Sequence, residues 1–307
     1  MTIAFIFTGQ GSPTPGAGAP WRDSPSWQLV DEVAAATGSD VARLLLDADE
    51  SELVDTANAQ LATFTLCLMI WQSLVEAGSA PDHVAGHSLG EFTALVSSGV
   101  LSVADGACVV SARGQAMRAA CHAEPSGMAA VIGLEVEAVT AVCDDVQGVW
   151  VANDNAPGQV VIAGTLAGLD AAGEAAKAAG ARRPMPLKVA GAFHTPLMGP
   201  AQAELDAALG AAAWADPTCG VWANVDASLH SDGSGWAARS SAQLCSPVRW
   251  RAEILAMDAA GIDTFVEVGP GSVLSGMVKR ISPDSERFSC ATPDDVGSVT
   301  PQLFSAG

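Results

Sequence analysis

The five residues Gly86-His87-Ser88-Leu89-Gly90 form a G-x-S-x-G pattern. A short apolar run, His83-Val84-Ala85-Gly86, leads into it, and a helix-like run begins at Glu91. This setting predicts a serine on a sharp turn between a strand and a helix. The glycines suit such a turn, because the two backbones approach closely and leave no room for side chains. The pattern predicts an α/β protein in which Ser88 is a nucleophile and the helix N-terminus faces a developing oxyanion.

Composition indicates an acidic globular protein. The chain has 307 residues, of which 49% are hydrophobic, and its formal charge of −20 argues against nonspecific nucleic-acid binding and anionic membranes. Seven scattered cysteines without C-x-x-C spacing predict neither disulfides nor a metal site. No apolar run reaches the roughly 20 residues that span a bilayer. The N-terminus lacks the basic segment of a signal peptide and starts close to a strand, so we expect a freestanding cytoplasmic protein.

Alternating strand-like and helix-like segments predict two domains. Residues 124–191 show the order β-α-β-β-α-β, which is typical of a ferredoxin-like unit. Strands and helices before and after it complete one larger layer, and the polar tail after Ser282 is expected to pack loosely. The sequence therefore predicts a larger α/β-hydrolase-like domain, residues 1–123 and 192–307, with an inserted smaller ferredoxin-like domain at residues 124–191.

A serine nucleophile needs a base, and His194 is the best candidate. It lies in the stretch Gly191-Ala192-Phe193-His194-Thr195-Pro196, a sharp turn after a predicted strand. His87 is too close to Ser88 in sequence to reach its Oγ easily and is interpreted as a packing residue. No acidic residue adjoins His194, so a backbone carbonyl would have to orient it.

Arg113 occupies the middle of a predicted helix whose adjacent positions one turn away carry no acidic residue. A buried unpaired charge is costly. The guanidinium therefore reaches solvent, pairs with a distant carboxylate, or receives an anionic substrate. A carboxylate suits an arginine, which can donate two parallel hydrogen bonds to it.

Several motifs that occur in order along the chain resemble those of one family. They are Gly9-Gln10-Gly11-Ser12, Gly86-His87-Ser88-Leu89-Gly90-Glu91, Arg113-Gly114, residues 155–164, Gly191-Ala192-Phe193-His194, Asn224-Val225-Asp226, Gln243-Leu244 with Pro247-Val248-Arg249-Trp250, and Glu267-Val268-Gly269-Pro270-Gly271. Together they resemble malonyl-CoA:acyl carrier protein transacylases and the acyltransferase domains of polyketide synthases, over residues 3 to about 281.

The resemblance implies a ping-pong reaction. Ser88 would take a malonyl group from malonyl-CoA with His194 as base, and the phosphopantetheine thiol of an acyl carrier protein would remove it. The backbone N–H groups of Gln10 and Leu89 would form the oxyanion hole, and Arg113 would hold the free carboxylate. A backbone carbonyl near Gln243 would support the histidine. Asn155, Gln159 and Asn224 match positions that line or brace the cleft, and no bound cofactor is implied.

The resemblance also bears on substrate choice. Leucine after the serine and phenylalanine before the histidine are typical of malonyl-selective relatives, so Leu89 and Phe193 predict malonyl. The physical reason is steric, since Phe193 leaves little room for an α-methyl group. Pro13 departs from the usual G-Q-G-S-Q pattern and predicts an altered entrance loop.

The acidic chain and an acidic carrier protein would repel each other at long range, so docking needs a local basic patch. We expect Arg182, Arg183 and the Lys279-Arg280 pair to frame it on a monomeric enzyme. Three alternatives remain open: transfer of another acyl group, an editing acyl hydrolase on the same scaffold, and a non-catalytic scaffold protein. Whether the pathway makes fatty acids or polyketides is also open.

Overall fold

The computed structural model describes residues 1–10, 14–182 and 184–305, with the backbone alone at 304 and 305. In chain order the strands are β1 (Ile3–Phe7), β2 (His83–Gly86), β3 (Ser126–Ile132), β4 (Val149–Ala156), β5 (Gln159–Thr165), β6 (Met185–Pro186), β7 (Gly220–Ala223), β8 (Ser228–His230), β9 (Thr264–Val268) and β10 (Glu286–Cys290).

The α-helices are α1 (Gln28–Thr37), α2 (Val41–Leu46), α3 (Glu50–Val54), α4 (Thr56–Glu76), α5 (Leu89–Ser97), α6 (Val103–Ala123), α7 (Val136–Asp144), α8 (Leu166–Ala178), α9 (Gly199–Ala211), α10 (Trp236–Cys245), α11 (Trp250–Ala259), α12 (Val273–Ile281) and α13 (Pro293–Ser305). Short 3-10 turns cover Ala19–Trp21, Pro25–Trp27 and Pro196–Met198. Within the described residues, no helix is long and apolar enough to cross a membrane.

The larger sheet has six strands in the order β10-β9-β1-β2-β7-β8. All neighbouring pairs are parallel except β7 and β8. Helices cover the parallel strands, and β1 is accordingly a continuous apolar run. Because β1 lies between β2 and β9, the strand order changes direction there. A crevice is expected at the carboxyl ends of strands that flank such a point.

The smaller sheet has four antiparallel strands in the order β4-β5-β3-β6, with α7 and α8 packed on it. It has a hydrophobic core of its own, centred on Val131, Val139 and Ile162. Hydrogen bonds from Asp154 N to Val248 O and from Val248 N to Ala152 O connect β4 to the segment before α11. Backbone hydrogen bonds therefore join the smaller sheet to this segment.

The long helices α4 and α6 pack against each other and carry polar side chains inward. Helix α6 begins after Ser102, whose Oγ accepts a hydrogen bond from Asp105 N over 3.0 Å. Buried Glu267 in β9 accepts hydrogen bonds from the N–H groups of Leu274 and Ser275, at 3.0 and 2.7 Å. This carboxylate fixes the N-terminus of α12, which borders the cavity described below.

The prediction of a loosely packed tail is wrong. Strand β10 extends the parallel sheet beside β9, and α13 buries Val296, Val299 and Leu303. A half-buried edge strand such as Glu286–Cys290 has too few apolar residues to stand out in sequence. The last strand of the predicted β-α-β-β-α-β order covers only Met185–Pro186, because proline cannot donate to a sheet ladder.

Candidate active site

Ser88 occupies a strained turn between β2 and α5. Its φ is 54° and its ψ −106°, a conformation rarely adopted by a residue with a side chain. A Cβ on Gly86 would lie 1.9 Å from the carbonyl carbon of Gly90, and one on Gly90 would lie 2.1 Å from Phe7 O. Glycine is thus required at both positions, and the predicted strand-turn-helix is present.

His194 reaches the serine from the other side of the crevice. Its Nε2 lies 2.7 Å from Ser88 Oγ, and its Nδ1 lies 2.9 Å from the backbone oxygen of Gln243. A carbonyl oxygen only accepts, so Nδ1 carries the proton and Nε2 is free to accept from the serine hydroxyl. The carbonyl predicted to orient the histidine is therefore supplied by Gln243.

His194 is 4% exposed, and it too has a positive φ, 61°. Thr195 holds this turn, since its Oγ1 donates to Ala192 O over 2.7 Å. Burial and, next, the positive charge of Arg113 lower the pKa of His194 to about 3. The imidazole is consequently neutral near pH 7, the form that can accept a proton.

Arg113 lies under the serine and is 1% exposed. Its Nη2 donates to Ser88 Oγ over 3.1 Å and to Gln243 Oε1 over 3.2 Å, and its Nη1 donates to Gln60 Oε1 over 2.8 Å. The guanidinium also lies over the Phe92 ring, 5.3 Å from its centroid. Burial lowers the pKa of Arg113 only to about 10, so it remains charged.

No carboxylate bonds directly to Arg113 among the described residues, and its Nε has no hydrogen-bond partner there. A buried cation whose partners are neutral oxygens retains the capacity to bind an anion. The contact with Ser88 Oγ puts that capacity within reach of a group attached to the serine.

Asn224 braces the elbow from below. Its Oδ1 accepts from Ser88 N over 2.8 Å, and its Nδ2 donates to Gly86 O over 2.8 Å. Gln243 adds a second support, because its Nε2 donates to Ser88 O over 3.0 Å. Both residues were predicted as site residues, and both act on the backbone of the turn.

Two fully buried carboxyl groups, Glu91 and Glu253, lie beneath these braces. Glu91 accepts from Asn224 N and Gln243 Nε2, and Glu253 accepts from Asn224 Nδ2. The sequence-based prediction gave neither one a role. The signal for Glu91 was available, since a glutamate in an otherwise apolar stretch of α5 needs buried partners.

A cavity of about 300 Å³ opens onto Ser88 and His194 between the two sheets. The predicted residues that line it are Gln10, Asn155, Gln159, Phe193 and His194. The rest of its wall is largely apolar, formed by residues that include Met117, Met128, Val161, Leu187, Val189 and Met277. Leu89, in contrast, is buried in the core beside the serine and does not face this cavity.

The backbone N–H groups of Gln10 and Leu89 were predicted to form an oxyanion hole. Leu89 is the first residue of α5, so its N–H has no acceptor within the helix. Gln10 follows β1 at the cavity wall, and its side chain accepts from Gln60 Nε2 over 3.3 Å. The altered loop predicted at Pro13 lies outside the described residues.

His87 does more than the packing role predicted for it. Its ring packs edge-on against Trp250, and its Nε2 is hydrogen-bonded to Asn155 Oδ1 at 2.8 Å. Asn155 belongs to β4, so this bond ties the elbow to the small sheet.

Among the described residues, no group of three His, Cys, Asp or Glu side chains is arranged to hold a metal ion.

Known proteins are similar to this chain in sequence. Residues 4–292 match the model of the acyl transferase domain family. The malonyl CoA-acyl carrier protein transacylase of Bacillus subtilis strain 168 is 39% identical over 300 residues, covering 96% of this chain and 95% of the relative.

Two solved structures agree closely with the fold. The acyl-carrier-protein S-malonyltransferase of Burkholderia pseudomallei 1710b is 37% identical, with a TM-score of 0.93 over 98% of this chain and 100% of that one. A malonyl-transacylase structure in complex with its type II PKS acyl-carrier protein is 33% identical, with the same TM-score and coverage. The chain therefore belongs to the acyl transferase domain family, as its ordered motifs predict.

Proposed function

We propose that this protein moves a malonyl group from malonyl-CoA to the phosphopantetheine thiol of an acyl carrier protein through an ester on Ser88. The observation that carries the proposal is the pair of contacts at Ser88 Oγ, with His194 Nε2 at 2.7 Å and Arg113 Nη2 at 3.1 Å. One contact supplies a base and the other a cation for a carboxylate. The names of the relatives support the same reaction.

In the first half-reaction, Ser88 Oγ attacks the thioester carbonyl while His194 Nε2 takes its proton. The oxygen–carbon bond forms, the carbon–sulfur bond of malonyl-CoA breaks, and the CoA sulfur leaves with the proton from His194. In the second half-reaction, the carrier thiol gives its proton to His194 and attacks the ester, and Ser88 recovers that proton. The protonated histidine formed in each step is stabilised by Gln243 O at Nδ1.

Charge that develops on the carbonyl oxygen needs donors already in place. The N–H groups of Leu89 and Gln10 are proposed for this task. The N-terminus of α5 adds a partial positive charge behind Ser88. The braces on the elbow, Asn224 and Gln243, stop the turn from relaxing when the serine changes its bonding.

Arg113 is proposed to bind the free carboxylate of the malonyl group. Its Nη2 and unpartnered Nε provide donors, while Gln60 and Gln243 hold the plane of the guanidinium. A hydrolase that removes simple acyl chains has no use for a buried cation beside its serine. The carboxylate clamp therefore favours the malonyl transfer over editing hydrolysis.

Phe193 is proposed to restrict the acyl group. It lies next to His194 and lines the cavity, where it limits the space for a branched extender unit. Leu89 is buried away from the cavity, so its contribution to selectivity would be indirect.

We also propose the division into a larger α/β-hydrolase-like domain, residues 1–123 and 192–307, and a ferredoxin-like domain, residues 124–191. Its support is the strand order β4-β5-β3-β6 with two helices, together with a separate hydrophobic core. Ser88 and His194 then belong to the larger domain, while Asn155 and Gln159 reach the cavity from the smaller one.

The carrier protein is proposed to dock beside the cavity mouth. Lys279 and Arg182 are exposed and remain candidates for the basic surface, whereas Arg183 lies outside the described residues. Arg280 has another task, because its guanidinium donates to Gln159 Oε1 over 2.6 Å and to Pro157 O. It connects α12 to the hairpin between β4 and β5.

Intact-mass measurement after mixing with malonyl-CoA tests the proposal. A transferase is expected to gain about 86 Da, the mass of a malonyl ester, and to keep it until carrier protein is added. Ser88→Ala should show no adduct. Loss of the adduct to water at the rate seen with carrier protein would favour the hydrolase instead, and absence of any adduct on the unaltered protein would contradict the reaction.

A further inference from the structure

Glu91 carries a carboxyl group at the centre of the hydrogen bonds beneath the serine, yet it is not among the residues that line the cavity at Ser88. It is fully buried, and its two oxygens accept from Asn224 N over 2.6 Å and from Gln243 Nε2 over 3.0 Å. Burial raises the pKa of this carboxyl, and the bond from Asn224 and the charge of Arg113 oppose that rise. Both of its oxygens face N–H donors, so the group serves as a hydrogen-bond acceptor at each. Burying a carboxyl group costs free energy, so its presence in the core needs an explanation.

Gln243 is the residue through which Glu91 acts on the chemistry. Its amide nitrogen donates to Glu91 and, over 3.3 Å, to Asn224 Oδ1, and its amide oxygen faces Arg113 Nη2. The same nitrogen bonds to Ser88 O, and the backbone oxygen of Gln243 accepts from His194 Nδ1. Replacing the acceptor at Glu91 by a donor removes one of the three acceptors that keep the NH₂ group of Gln243 turned away from the guanidinium, and sets an N–H donor against it.

Asn224 is held in the same way. Its backbone N–H donates to Glu91, while its side chain accepts from Ser88 N. Both supports of the elbow are thus fixed by one carboxylate. We propose that Glu91 is a positioning residue that sets the orientations of Gln243 and Asn224 and so holds Ser88, His194 and Arg113 in a single arrangement. This inference rests on the proposed transfer through Ser88.

Glu253 provides a matched control. It is equally buried and also bonds to Asn224, but only through Oε2, and its Oε1 has no partner among the described residues. An amide at this position can keep the bond to Asn224 and place its NH₂ group at the free side. In Glu91→Gln, by contrast, the new NH₂ group must face an N–H donor, because both oxygens of Glu91 accept from N–H groups.

The test compares Glu91→Gln with Glu253→Gln in single-turnover acylation by malonyl-CoA and acetyl-CoA. We expect Glu91→Gln to lower the rate constant for malonyl by about 10- to 100-fold, the effect of a small misplacement of reacting groups. The loss should be in the maximal rate more than in the half-saturating concentration. It should be smaller for acetyl, which does not use Arg113, and smaller in Glu253→Gln, which can keep its bond to Asn224.

A double-mutant cycle of Glu91→Gln with Gln243→Ala tests whether Glu91 acts through Gln243. If Glu91 acts through Gln243, the two losses will not add. Should Glu91→Gln fail to fold, Glu91→Asp takes its place in the cycle.

Equal effects of the Glu91 and Glu253 substitutions, equal losses for both acyl groups, or additive losses would overturn the positioning role. Failure of the unaltered protein to form the malonyl adduct would contradict the proposed function instead.

Discussion

The Nη2 of Arg113 donates a hydrogen bond to Ser88 Oγ over 3.1 Å, although Arg113 lies in the middle of α6 and Ser88 lies at the start of α5. The serine oxygen thus contacts a base, His194 Nε2, and a buried cation at once. An acyl group on Ser88 that carries its own carboxylate would find a counter-charge already in place.

Arg113→Ala is expected to lower malonyl transfer by about 100-fold, since a lost hydrogen bond to a charged group costs about 1.5–3 kcal/mol. Acetyl transfer should fall much less, so the preference shifts toward unsubstituted acyl groups. Adduct formation from the two CoA esters in competition measures the shift. Arg118→Ala is the control, because Arg118 lies on the same helix in a partly exposed ion pair with Asp55. An unchanged malonyl preference in Arg113→Ala would exclude the clamp.

The pH dependence of acylation should reflect the buried histidine. Burial and Arg113 lower the pKa of His194 to about 3. A base works only when unprotonated, so its activity would be lost as pH falls through that value and not near the ordinary histidine value of about 6.5. We therefore expect no inflection near pH 6.5 in the single-turnover acylation rate of the unaltered protein.

Removing the nearby positive charge provides the matched comparison. In Arg113→Ala the pKa of His194 should rise, and the acid limb, followed with acetyl-CoA, should move to higher pH. A limb centred near about 6.5 in the unaltered protein would show that His194 titrates as a solvent-exposed residue does.

Phe193→Ser should relax selectivity. Replacing the ring leaves room beside His194 for an α-methyl group, and one methyl in an apolar pocket is worth about 1–3 kcal/mol. We expect the ratio of methylmalonyl to malonyl transfer to rise by roughly tenfold.

Met128→Ala, which enlarges the same cavity elsewhere, serves as the control. Competition between the two CoA esters, with the adducts resolved by mass, gives the ratio. An equal rise of the methylmalonyl-to-malonyl ratio in both variants would mean that cavity volume alone determines the selectivity.

Lys279→Glu tests the docking surface. Lys279 is exposed near the end of α12, the helix that borders the cavity, and a charge reversal there should raise the KM for carrier protein by about two- to fivefold. The rate of acylation by malonyl-CoA should be unchanged.

Lys177→Glu, at the exposed end of α8, is the matched control. Arg280 is unsuitable, because its reversal would also break the bond to Gln159. Identical KM values for the two Lys→Glu variants would exclude Lys279 from docking.

The elbow was predictable because its requirements are local. Gly86 and Gly90 admit the close approach of two backbones, and the flanking strand and helix follow from adjacent residues. Arg113 was also visible in sequence, since a charge in an apolar helix needs an explanation. His194 was identified because it lies in a sharp turn after a predicted strand.

The supports of the site could not be predicted in the same way. Gln60, Glu91 and Glu253 belong to three different helices, and only folding brings them below Ser88. The bond from Arg280 to Gln159 was likewise not predicted, because the two residues are 121 positions apart in sequence. The pairing of β10 with β9 was missed because an edge strand can be polar on one face.

The strain at Ser88 leads to a last prediction. Its φ of 54° and ψ of −106° are costly for any residue with a Cβ, by about 1–3 kcal/mol, but are open to glycine. Ser88→Ala and Ser88→Gly both remove the Oγ and its bonds to His194 and Arg113, so they differ mainly in that strain. Glycine also gains about 0.5–1 kcal/mol of freedom in the unfolded chain, which opposes the relief. We expect Ser88→Gly to be the more stable variant by about 1 kcal/mol in denaturant unfolding. A glycine variant less stable than the alanine variant by the full amount of about 0.5–1 kcal/mol would mean that the turn stores no strain, and that the bonds from Asn224 and Gln243 serve only to orient the serine.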